Sequence, residues 1–333
     1  MDLVGLGESS LDYVNLLPQA PGPDAPSKLR IDSKFDSCGG QVATMLAASS
    51  ALGLRASYLG PIGNDDNGRR IGEELTLRGV DMSNVIVHEA ASRFAIILVD
   101  ESTGERTVLW HRDERLAVTE QEITAAMLTA RALHVDGVDE PAAIRAAALA
   151  SERGLLVTCD LDRVTDRTPE LVAHVTMPVL AEHVPESLTG ERDPERALRK
   201  LRRQHRGVIC VTLGVHGSMA LDGDHLIHVP AFPVHAVDTT GAGDVFRAGF
   251  VYGALAGWPT IDILRFANAA AAVSCTRLGA ISAIPKLAEV EQLLQMVRTE
   301  SLIPHHESLI AQSVNPESAD SIIRGFRDPK IQG

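Results

Sequence analysis

The sequence predicts an α/β protein with a mostly parallel sheet covered by helices on both faces. Short apolar runs rich in β-formers recur along the chain, and longer alanine-rich or charged segments of helical character separate them. Hydrophobic residues make up 45% of the 333 positions, enough for a large core. In chain order the strand candidates are residues 3–6, 56–59, 132–135, 155–159 and 208–213, and the helix candidates between them are 42–52, 141–153 and 194–205. Two stretches break the alternation. Residues 28–38 alternate polar and apolar side chains, and residues 93–110 read as two strands around the turn Glu101-Ser102-Thr103-Gly104. These pieces suit either a small separate sheet or an ordinary edge hairpin. Near the end, Val290, Leu293, Leu294 and Val297 share one helical face. After Pro304 the chain turns polar, so residues 305–333 are expected to be a surface tail beyond a domain spanning 1–304.

Charge and composition exclude several classes. A net charge of −13 disfavours general nucleic-acid or anionic-membrane binding, which needs a basic footprint. Cys38, Cys159, Cys210 and Cys275 form no CxxC pair and no cysteine–histidine cluster, which argues against zinc and fits reduced thiols in a cytoplasm. The start lacks a basic stretch followed by an apolar one, so no signal peptide is expected. No apolar run approaches the roughly 20 residues that a membrane-spanning helix needs.

The chemistry concentrates in Asp238-Thr239-Thr240-Gly241-Ala242-Gly243-Asp244, which leads from a strand-like approach at 232–237 into a helical pattern. Glycines at a helix start let backbone N–H groups converge on an anion, and the helix dipole favours negative charge there. An aspartate beside such a pocket suits proton acceptance from a hydroxyl attacking a γ-phosphoryl group. It equally suits plain helix capping.

The heptapeptide resembles the second signature of the ribokinase-like, or phosphofructokinase-B, carbohydrate kinases. That resemblance implies a three-layer α/β/α fold with a small β-sheet lid, here from about 28–38 and 93–112. It also implies ATP-dependent phosphorylation of a primary hydroxyl. Asp244 would be the base, with Gly241, Ala242 and Gly243 as the anion hole. Cys38-Gly39-Gly40 followed by a helix is similar to the first signature, and Gly60-Pro61-Ile62-Gly63-Asn64-Asp65-Asp66-Asn67-Gly68 resembles the family's G-x-x-G-x-D-x-x-G turn. By the same resemblance Asp12, Gly39, Gly40 and Gln41 would meet the sugar. Asp139 lies where ribokinases have a sugar-binding glutamate, with Asp136 close enough to compete. Thr212, Gly214, Gly217 and Asn268 match the nucleotide side. Asp238, Thr240 and the turn at Gly279 match a loop that holds a monovalent cation, so K+ joins ATP and Mg2+ among the implied cofactors. A homodimer through the lid is a further implication.

Two departures stand out. The first signature's usual asparagine is Thr44, which keeps a hydroxyl but loses an amide. The N-x-x-E motif that organises magnesium and phosphate is replaced by Ala181-Glu182-His183-Val184. They leave a non-catalytic sugar- or nucleotide-binding protein as one rival; a nucleoside kinase of the same fold is the other, since in the family the acceptor is chosen by lid and pocket residues, with Phe35, Phe94 and Trp110 as stacking candidates. Gly5-Leu6-Gly7 lacks the third glycine of a dinucleotide fingerprint, and His111-Arg112-Asp113 lacks the other protein-kinase motifs.

Overall fold

The computed structural model describes residues 1–300 except 20, 23–27, 104, 105 and 204. The predicted tail therefore lies outside the described residues, as does Gly104 of the predicted turn. Met1–Leu294 forms one compact unit.

Its centre is an eight-stranded sheet. In spatial order the strands are His225–Val229, Ser218–Asp222, Ile209–Thr212, Met177–Leu180, Leu156–Leu161, Ala132–Asp136, Leu3–Leu6 and Ala56–Tyr58. The last six are mutually parallel, and the first two add an antiparallel hairpin at one edge. Leu3–Leu6 and Ala132–Asp136 are buried at every position, as expected for strands covered on both faces. One apolar layer joins Leu133, Val157 and Val211 to the alanine-rich helix Glu140–Glu152; the other joins Val179, Cys210 and Ala220 to Phe246, Phe250 and Leu264.

The two irregular stretches resolve as a separate four-stranded sheet, in the order Ser33–Gly39, Ser10–Leu17, Phe94–Asp100, Arg106–His111. One of its two inner strands, Ser10–Leu17, has no counterpart among the sequence-predicted elements. That strand pairs antiparallel with Ser33–Gly39 and parallel with Phe94–Asp100. The pairing is long-range on one side, so no local turn announces it.

One expected strand is absent. Residues 232–237 run irregularly because Pro230 and Pro233 remove ladder donors. Instead the N–H groups of Val237 and Asp238 donate to the Cys275 carbonyl at 2.8 and 3.2 Å. The predicted helix 194–205 ends earlier, at Leu201. Among the described residues no helix is long and apolar enough to cross a membrane.

Candidate active site

Sheet order reverses around the first strand: Leu3–Leu6 has Ala56–Tyr58 on one side and Ala132–Asp136 on the other. At such a point the connections leave for opposite faces, and a crevice opens beyond the strands' carboxyl ends. A cavity of ≈ 530 Å³ lies there, walled on one side by the small sheet and on the other by the start of the helix Ala242–Leu255.

The small sheet contributes Asp12. Its partners in register are Ser37 and Ala95, and Oδ1 accepts a hydrogen bond from the Ser10 hydroxyl at 2.9 Å. Burial raises the Asp12 carboxyl above its usual range, with the Ser10 hydroxyl opposing. A Cβ at Gly39 would sit 2.5 Å from Asp12 Oδ2, so only glycine leaves the carboxylate open to the cavity. Gly40 caps the helix Gln41–Ala51 with φ 95°, a conformation glycine adopts freely. Gly39, Gly40, Gln41 and Thr44 all line the cavity. Thr44 is fully buried, and its hydroxyl has no hydrogen-bond partner among the described residues. A hydroxyl in that state is available to a bound molecule.

Opposite stands the helix start. Gly241 caps it with φ 76°, Asp244 lies in its first turn, and Thr240, Gly241 and Asp244 reach the cavity. Burial first, and then the neighbouring Asp160 charge, pushes the Asp244 carboxyl well above the usual carboxylate range. A raised carboxylate with backbone N–H groups beside it suits proton abstraction next to a bound phosphoryl group.

Asp139 does not line the cavity. Its carboxylate takes both bonds from Arg112 Nη2, at 2.9 and 2.7 Å, and the Val118 N–H at 3.1 Å. Asp136 is also occupied: its oxygens accept the N–H groups of Glu8 (2.7 Å) and Val138 (3.0 Å), and burial pushes its carboxyl up to about 8. The acid that faces the cavity here is Glu8, bridging Arg93 at 3.0 Å and Arg112 at 3.5 Å. Arg163 lines the same wall and donates to the Gly137 and Val138 carbonyls.

The nucleotide-side candidates lie outside this cavity and converge elsewhere. Thr212 ends its strand, and the turn Gly214–His216 leads to Gly217, whose missing Cβ would fall 2.1 Å from the Val229 carbonyl. Asn268 Nδ2 donates to the carbonyls of Val229 (2.9 Å) and Pro230 (3.2 Å). Both features thus hold the segment 229–231.

Asp238, Thr240 and Gly279 come together as expected. Asp238 accepts the N–H groups of Thr240 and Gly279, each at 2.8 Å, and pairs with the Arg106 guanidinium. So arranged, the carboxylate does not fit a monovalent cation. Both oxygens already accept N–H donors, and Arg106 supplies the positive charge. Nor do the described residues place three or more His, Cys, Asp or Glu side chains around a metal ion. Val184, at the end of the altered N-x-x-E segment, is fully buried, while Glu182 and Glu186 are exposed.

Sequence reasoning missed Glu8, Arg93, Arg112, Arg163, Asp160 and Arg247. Some signals were present: Glu8 follows Gly5-Leu6-Gly7, and Asp160-Leu161-Asp162-Arg163 ends a predicted strand. Arg112 sits in the triplet read as a protein-kinase coincidence.

Comparison with known proteins agrees with the fold. The model of the pfkB family carbohydrate kinases matches residues 21–287. Fructokinase-1 of Zea mays is 29% identical over 88% of this chain and 97% of its own. A nucleoside kinase of Methanothermobacter thermautotrophicus is 27% identical over 86% of this chain and 94% of its own. The crystal structure of ribokinase from Thermotoga maritima superposes with a TM-score of 0.78 at 25% identity, covering 89% of this chain and 99% of that one.

Proposed function

Because the chain belongs to the pfkB family of carbohydrate kinases, we propose that it transfers the γ-phosphoryl group of Mg·ATP to a primary hydroxyl of a sugar or sugar-like acceptor, with Asp244 as general base. One observation carries this reading: Asp244 and the glycine-capped helix start share one cavity with Asp12, Gly39, Gly40 and Gln41. Acceptor hydroxyls held by Asp12 would lie between the two walls. The acceptor oxygen would attack phosphorus as its proton passes to Asp244. Backbone N–H groups of Gly241, Ala242 and Gly243 would stabilise charge on the phosphoryl oxygens. The small sheet would act as a lid that keeps water from competing for the phosphoryl group.

A nucleoside acceptor is the second reading. Trp110 lines the cavity from the small sheet and remains 65% exposed, with the Arg93 guanidinium over its ring at 5.9 Å, so it offers aromatic surface against which a base would stack. Val108 is exposed beside it, and this apolar surface also supports the dimer expected through the lid.

The test is ADP release from Mg·ATP across a panel of sugars, sugar acids and nucleosides. One strongly preferred sugar is the expected result, and a preferred nucleoside would select the second reading. Silence across the panel, with ATP binding shown separately, would favour the non-catalytic binder.

A further inference from the structure

Behind Asp244 lies a charged group that the reaction as described does not use. Asp160, near the carboxyl end of Leu156–Leu161, has its carboxyl beside that of Asp244, so that the two can share a hydrogen bond once one of them carries a proton. Arg247, one turn along the helix from Asp244, binds Asp160 Oδ1 through Nη2 at 2.6 Å. The pair is almost wholly buried, with side-chain exposures of 5% and 4%. The same nitrogen reaches the Val179 carbonyl at 3.4 Å. A Cβ at Gly243 would stand 2.9 Å from Arg247 Nη1, so the glycine of the anion hole also leaves room for the guanidinium.

With both carboxyls ionised, one arginine leaves an acid in excess; a single proton arriving on the pair forms a hydrogen bond between them and restores the balance. We propose that Asp160 is the positioning residue of the base: it orients the Asp244 carboxyl and accepts its hydrogen bond once the acceptor's proton has arrived, while Arg247 keeps Asp160 ionised. This rests on the phosphoryl-transfer reading above. The acceptor O–H bond breaks, and its proton goes to an Asp244 oxygen. The freed electron pair forms the new O–P bond, and ADP leaves with the electrons of the old one. The new Asp244 O–H then points at Asp160, relieving the repulsion between two adjacent carboxylates.

The other ionisable groups around the pair are Asp136, Asp162, His134, Cys159 and Cys210. Burial lowers His134 to about 3, and its Nδ1 meets the Thr158 hydroxyl at 2.9 Å, so it stays neutral. Both thiols are pushed up by burial and stay neutral too. Asp162 is exposed and acts from farther off. Asp160 and Arg247 thus dominate, with opposite signs.

The experiment compares wild type, Asp160→Asn, Arg247→Met and the double variant by pH–rate profile, and follows the Asp244 carboxyl by ¹³C NMR without substrates. Asp160→Asn removes a negative charge that raises Asp244, so the acid limb and the carboxyl titration should both move to lower pH, by about one unit. The plateau kcat should fall, with the acceptor KM little changed. Arg247→Met removes a cation that lowers Asp244, so both should move to higher pH. The double variant removes both members of the buried Asp160–Arg247 pair and strands neither, which guards against misfolding of the singles. It should keep the depressed plateau. A wild-type plateau in the double variant would show that Asp160 merely neutralises Arg247, and would overturn the proposal. So would an Asp244 titration that is identical in wild type and Asp160→Asn. If no acceptor is turned over at all, the kinase reading fails, while the carboxyl titration still decides whether Asp160 controls Asp244.

Discussion

Two acid–arginine clusters flank the cavity, built from the same residue types but arranged differently. On the small-sheet side, Glu8 and Asp139 take Arg93 and Arg112, and the partners come from both sheets. Each arginine there has an acid within reach, and the side chains retain exposures of 10–21%. On the helix side, Asp160 and Asp244 have one arginine between them; Asp160 and Arg247 are almost wholly buried, and Asp244 reaches the cavity. The first cluster is balanced and ties sheet to sheet. The second has an acid in excess, and burial first, then that excess, raises the basicity of Asp244. Charge balance, more than the presence of charge, separates scaffold from chemistry here.

The comparison breaks most sharply at Asp244. Asp244→Asn keeps the shape and removes the base, so kcat should fall by roughly 10²–10⁴ while calorimetric binding of ATP and acceptor survives. Near-normal turnover would sink the assignment. In wild type the raised Asp244 carboxyl must be ionised to act. Activity should therefore be lost as pH falls through an acid limb above the usual carboxylate range, as a pH profile of kcat/KM would reveal.

Asp12 comes next. Removing a hydrogen-bonding carboxylate costs about 1.5–3 kcal/mol, so Asp12→Ala should raise the acceptor KM by roughly 10–150-fold with little change for ATP. Equal losses for both substrates would indicate a structural role instead.

The balanced cluster should respond in stability before chemistry. Arg112→Ala leaves Glu8 and Asp139 short of a donor, and urea unfolding should show a loss of about 1–3 kcal/mol. An unchanged midpoint would mean that this cluster does not join the sheets.

The smallest effect is expected at Asp238. With Arg106 supplying the positive charge, replacing K+ by a bulky organic cation should leave turnover unchanged. A strong K+ requirement would show that Arg106 leaves Asp238 during the reaction.

Much of the fold was legible because its rules are local. Buried parallel strands announce themselves as apolar runs, and the strands at 3–6 and 132–135 fall within a residue of prediction. The glycine-rich helix start was equally legible, since few residue types can crowd N–H groups around an anion. Ser10–Leu17 escaped notice because its partners come from 33–39 and 94–100, pairings that no short window contains.

The site divides in the same way. The sequence by itself determined the layered α/β class, the helix start with Asp244, and the glycines at the start of Gln41–Ala51, because each depends on residue identity within a few positions, whereas the seat of Asp12 beside Gly39 is a cross-strand pairing. Only the tertiary structure decided that Glu8 faces the cavity while Asp139 turns to Arg112. It likewise decided that Arg106 meets Asp238 across more than a hundred residues, and that Asp160 and Arg247 stand behind the base. Those outcomes depend on which charged groups lose their water together, and burial of that kind is set by strand order and sheet packing.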